Sequence, residues 1–106
     1  MSSSRKAERK RVLLRGVLVH GAAQMTLPCT ISDLSDAGAR VTFQAADAIA
    51  PPFLLLDMTN GVGYRADQAW REGARMGLTF TNRFDAAKPA PGDPAIFHRL
   101  WAERVR

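Results

Sequence analysis

Hydrophobic and polar positions alternate along most of this chain with a period of two, the spacing of strands that bury one face. Residues 12–20 are apolar and β-branched and run into Gly21-Ala22-Ala23, a strand followed by a turn. Between residues 24 and 32, Met25, Leu27, Cys29 and Ile31 share one parity, and Pro28 predicts an edge or a bulge. A short strand over residues 39–43 carries Ala39, Val41 and Phe43 on one face. Residues 44–52 form a loop that ends in Pro51-Pro52, and residues 53–58 read as a buried strand. Asn60-Gly61 then predicts a two-residue type I′ hairpin turn. Beyond it Val62, Tyr64, Ala66, Gln68 and Trp70 alternate with polar or small residues, Glu72-Gly73-Ala74 turns the chain, and Met76, Leu78 and Phe80 mark a sixth strand.

The pattern changes at residue 82, where Pro89, Pro91 and Gly92 break regular structure. Asp93-Pro94 predicts an N-cap followed by proline at the first helical position, and Phe97, Leu100, Trp101 and Val105 lie at helical spacing. The fold class that follows is all-β with one C-terminal helix: six antiparallel strands closed into a small barrel that the helix caps or flanks. At 106 residues the chain fits one domain. Residues 12–106 form it, and residues 1–11 form a flexible basic arm.

Composition narrows the function classes. No apolar run approaches the roughly 18 residues of a membrane helix, and no signal segment opens the chain, so a soluble, cytoplasmic protein without a membrane span is expected. Cys29 is the only cysteine, which rules out an intrachain disulfide, argues against a thiolate zinc site and leaves a buried small side chain. His20 and His98 have no motif-spaced metal partner, and neither a Walker loop nor a Rossmann glycine signature is present. The expected protein is a binder, not an enzyme, with no cofactor. Charge is concentrated: residues 1–16 carry six basic side chains against Glu8, whereas residues 17–106 carry nine of each sign. A neutral body with a basic arm is expected to meet an anion through the arm.

One stretch interrupts the strands in a fixed order. Asp33-Leu34-Ser35-Asp36-Ala37-Gly38 places an acceptor, a hydroxyl and a side-chain-free backbone within one turn, either a tight β-turn or a ledge for a polar ligand. Upstream, Arg5-Lys6-Ala7-Glu8-Arg9 has the spacing Arg-x-x-x-Arg. In this order, one hairpin apart and ahead of four more strands, the two motifs resemble the PilZ domain, the bacterial receptor for cyclic di-GMP. The resemblance extends over nearly the whole chain, through the Trp70-Arg71 strand end, the Met76-Gly77-Leu78-Thr79-Phe80 strand and the trailing helix.

The resemblance implies a six-stranded barrel whose arginine arm folds over cyclic di-GMP and pins it against the Asp-Ser-Gly turn. It assigns Arg5, Arg9, Asp33, Ser35 and Gly38 to the ligand, with Lys6, Lys10, Arg11, Arg40 and Trp70 as secondary contacts. The chemistry is consistent: an arginine fork suits a guanine O6/N7 edge or a phosphate, and an ionised carboxylate accepts from guanine N–H donors. A second Arg-x-x-x-Arg, Arg11 to Arg15, leaves the register of the arm open, with Arg5 and Arg9 preferred because residue 12 already begins a strand. The implied function is second-messenger signalling, with an arm that orders on binding and a downstream protein partner that reads it. The alternatives are a PilZ-like adaptor that binds a protein of motility or envelope machinery, and a basic-armed nucleic-acid binder.

Overall fold

The computed structural model describes residues 10–44 and 48–104, with the backbone alone for Lys10. Six strands, β1 (Lys10–His20), β2 (Met25–Leu34), β3 (Gly38–Phe43), β4 (Phe53–Asp57), β5 (Val62–Glu72) and β6 (Arg75–Asp85), precede one helix, α1 (Ala95–Glu103). All neighbouring strands pair antiparallel, in the order β1-β2-β3-β6-β5-β4, and β4 returns to β1 to close the barrel. Among the described residues no helix is long and apolar enough to cross a membrane.

Two apolar layers hold this architecture together. Leu18, Ile31, Val41, Leu55, Met76 and Leu78 fill the barrel, with Tyr64 stacked on Phe80 at 3.8 Å between ring centroids. Outside the wall, Ile96 and Phe97 of α1 cover Val19, Leu54 and Leu56. The Phe53-Leu54-Leu55-Leu56 run is continuous because β4 buries both faces, Phe53 and Leu55 inward and Leu54 and Leu56 under the helix. Cys29 is buried in the barrel, and burial pushes its thiol up to about 12.

Several boundaries differ from those read off the pattern. β1 starts at Lys10, two residues early, because Lys10 and Arg11 already pair with Leu34 and Asp33. Met25 begins β2 exposed rather than buried. Pro28 sits where β2 pairs with β1 alone, since the β2–β3 ladder begins at Cys29, and the bulge falls further on, between Ile31 and Asp33. β6 continues to Asp85, four residues into the stretch expected to be irregular, because the long β5 supplies partners for residues 82–85 that side-chain pattern does not reveal.

Asn60-Gly61 does not form a type I′ turn. Only Gly61 has positive φ, at 71°, and four residues separate the paired Asp57 and Val62. The cause is Asp57, 1% exposed, whose carboxylate accepts from Thr59 N (2.9 Å), Asn60 N (3.0 Å) and Asn60 Nδ2 (2.8 Å) and winds the loop around itself. Asp93 does not cap α1 either. Its carboxylate accepts from Ala90 N at 2.9 Å in the preceding turn, and Pro94 precedes the helix without a side-chain cap. The apolar stripe of the helix gains Ile96; Val105 lies outside the described residues.

A nine-residue helix without a side-chain cap is too short to persist alone, so packing must hold it. Phe97→Ala is expected to cost about 3–5 kcal/mol in urea unfolding. The raised Cys29 thiol gives a second expectation. Above pH 9.0, where a free thiol ionises and the buried one does not, the unfolded chain binds fewer protons and stability falls with pH. Tyr64, also raised by burial and partly offset by Arg83, acts in the same direction. Cys29→Ala should flatten the alkaline slope measured between pH 8 and 11.

Candidate functional site: a five-strand row beside the β2–β3 turn

The Asp33 to Gly38 corner is built by local hydrogen bonds. Ser35 Oγ accepts from Ala37 N (3.1 Å) and Gly38 N (3.3 Å), and Ser35 N donates to Gly38 O (2.9 Å). The hydroxyl therefore organises the turn. Gly38 has no positive φ; a Cβ there would collide with Leu78 O of β6, so its missing side chain admits the neighbouring strand. Phe80 N donates to Ala37 O at 2.8 Å and fastens the turn to β6. These two motif positions act first as scaffold, and Asp33 is the motif residue whose carboxylate faces other side chains.

Register places Asp33 in a row that crosses five strands. Arg11 pairs with Asp33, Asp33 with Arg40, Arg40 with Gly77, and Gly77 with Trp70. At about 4.8 Å between neighbouring strands the row spans ~19 Å. Three register shifts lie beside it, between Arg11 and Leu14, Ile31 and Asp33, and Gln68 and Trp70. Each re-aims a side chain, as bulges do. Without Ser32 as the extra residue, Asp33 would share the inward face of Ile31; instead it stands beside outward-facing Arg40. Without Ala69, Trp70 would follow Gln68, which pairs with inward Leu78.

The row has a defined chemistry. Arg40 Nε lies 3.4 Å from Asp33 Oδ2, an ion-pair contact that is not a hydrogen bond, and this buried Nε has no hydrogen-bond partner among the described residues. Asp33 itself is 8% exposed. Trp70, which the resemblance offers as a secondary contact, is 40% exposed. Its indole lies over Gly77, where a Cβ would collide with the ring. The glycine makes a ledge, and the outer part of the indole stays accessible.

Arg40 lines three hollows, one of them against Gly38, Trp70 and Gly77. Arg11, Val12, Leu13, Ser32, Asp33 and Arg40 line one of about 550 Å³. Trp70, Arg71, Glu72, Arg75 and Arg40 line one of about 430 Å³. Arg71 Nε donates to Gly73 O at 3.1 Å and Arg75 pairs with Glu72 at 2.7 Å, so both cations are held at the hairpin end. Four arginines, an exposed indole and two carboxylates, of which Glu72 is paired with Arg75, suit a planar anionic ligand with hydrogen-bond donors.

The structure thus brings Asp33, Arg11, Arg40 and Trp70 together and sets Ser35 and Gly38 behind them. Arg5, Lys6, Arg9 and the Lys10 side chain lie outside the described residues. Arg15 belongs to β1 opposite Thr30 and lines a separate hollow with Thr30, Thr42 and Phe43. Gly77, Ser32 and Ala69 were missed in the sequence because a ledge and a bulge leave no compositional mark. Among the described residues no three His, Cys, Asp or Glu side chains converge as a metal site. No protein-family model matches the chain, and no curated protein matches it significantly.

Scaffold and contact residues should separate experimentally. Gly38→Ala is expected to destabilise the barrel by about 1–3 kcal/mol through overpacking against β6. Arg40→Gln, on a half-exposed side chain, should leave the unfolding midpoint within about 0.5 kcal/mol of the parent. Urea denaturation of both variants checks the distinction.

Proposed function

We propose that the protein is a PilZ-type receptor for cyclic di-GMP, a bacterial cytoplasmic signalling protein that binds the dinucleotide on the outer wall of its barrel and performs no catalysis. The observation that carries the reading is the Arg11-Asp33-Arg40-Gly77-Trp70 row, which aligns cation, carboxylate, cation and aromatic face on one surface beside the Asp-x-Ser-x-x-Gly turn. A ligand with two guanines and two phosphates needs those elements. Asp33 reads the N1–H and N2–H₂ edge of one base, Arg40 and Arg11 meet phosphate, and Trp70 stacks a base at about 1–3 kcal/mol.

Arg5 and Arg9 complete the reading from the arm. They precede β1 in sequence, and Arg11 of β1, two residues after Arg9, pairs with Asp33. Closing the arm over the ligand costs ordering entropy and converts occupancy into a surface a downstream protein can read. Asp33 distinguishes this function from general polyanion binding, because a carboxylate repels a phosphate backbone and accepts from guanine.

Titration calorimetry with cyclic di-GMP is the direct test. Saturable micromolar binding is expected, weakened at least tenfold, about 1.4 kcal/mol, by either Asp33→Ala or Trp70→Ala. Absence of heat from the parent protein would overturn the proposal and favour the adaptor reading. Binding that ignores Asp33→Ala but collapses with added salt would favour the nucleic-acid reading.

A further inference from the structure

A second row of exposed residues crosses the sheet two residues along β3 from Arg40. Arg15 pairs with Thr30, Thr30 with Thr42, and Thr42 with Arg75, on β1, β2, β3 and β6. Arg75 is held by Glu72 at 2.7 Å, whereas the side chains of Arg15, Thr30 and Thr42 have no hydrogen bond or ion pair among the described residues. These three open onto a hollow of about 520 Å³. Val17 and Pro28, the next outward pair of β1 and β2, give it an apolar side together with Met58, whose N donates to Arg15 O at 2.9 Å. Between the two pairs lie Gly16 and Cys29. A Cβ at Gly16 would stand 2.9 Å from Ile31 Cδ1, so the floor of the hollow is backbone drawn close over the core. Among the described residues no carboxylate lines this hollow, and Arg15 is its one charged group.

We propose that the hollow is a docking site for an extended segment of a partner protein that carries an acidic residue and, two residues away, an apolar one. An unopposed guanidinium takes the carboxylate through its planar fork, and the Thr30 hydroxyl, one strand away, donates to the same group. Val17 lies two residues from Arg15 on the same face, about 6.6 Å, the spacing of alternate side chains in an extended chain. The apolar residue of the segment therefore falls on Val17, Pro28 and Met58. A nucleic acid is the poorer occupant, because its affinity grows with the number of phosphates neutralised and this hollow offers one cation. The site shares no lining residue with the hollows around Arg40, so it stands apart from the proposed nucleotide function and is tested without the nucleotide.

The probe is the blocked peptide acetyl-Ser-Glu-Ser-Leu-Ser-amide, titrated into the full chain at low salt and followed by amide chemical shifts. Saturable shifts at Val17, Thr30 and Thr42 are the expected result. Arg15→Gln should weaken binding at least fivefold, whereas Arg99→Gln, an equal loss of charge at an exposed position of α1, should leave it unchanged. Replacing the peptide's glutamate by glutamine, or its leucine by serine, should weaken binding to a similar degree. Four results would overturn the proposal: no saturable shifts with the parent protein, equal binding of the glutamine peptide, equal binding by the Arg15→Gln and Arg99→Gln variants, or shifts confined to residues 33–40.

Discussion

Burial of β4 on both faces is the constraint on which the rest of the structure depends. Five residues pair with β1 on one side and β5 on the other, so this strand closes the sheet. Closure removes the open edges that an antiparallel sheet would otherwise expose along most of its length. It also couples the two apolar layers, since Leu55 belongs to the barrel interior and Leu54 and Leu56 to the seat of the helix. Asp57, at the end of the strand, spends its carboxylate on the loop that leads to β5, which starts that strand in register. Among the described residues β4 pairs with Gly16 to His20 of β1 and does not reach the start of that strand.

A closed barrel places outward-facing residues of successive strands in rows, but strict alternation would have spoiled the row that matters. Asp33 has the parity of Ile31, and Trp70 that of Tyr64 and Ala66. Carried through, that alternation puts a carboxylate and an indole into the core. The bulges at Ser32 and Ala69 prevent this by inserting one residue each, and they deliver Asp33 beside Arg40 and Trp70 onto Gly77. Gly38 and Gly77 serve the same surface differently, one admitting β6 against the turn and the other seating the indole.

Ser35 shows why motif residues need not all face a ligand. Its hydroxyl is occupied by backbone donors of its own turn, and that turn in turn positions Asp33 at one end of the corner. Arg11, Arg40 and Trp70 lie in one row, whereas Arg15 lies apart over another hollow. Basic residues four apart on a strand therefore reach different neighbourhoods, because every second residue faces the same way and each step advances about 3.3 Å.

By itself the sequence determined the number and order of the strands, the buried parity of most of them, the amphipathic helix and the chemistry gathered near residue 33. All of these follow from local periodicity and from turn residues whose effect is confined to a few neighbours. Tertiary structure alone decided which strands neighbour one another around the closed barrel, the extension of β6 to Asp85, the four-residue loop around Asp57 and the outward aim of Asp33 and Trp70. Each of those depends on which residue of a distant strand is the partner. A single inserted residue reverses the facing of everything beyond it, and composition does not record where that insertion falls.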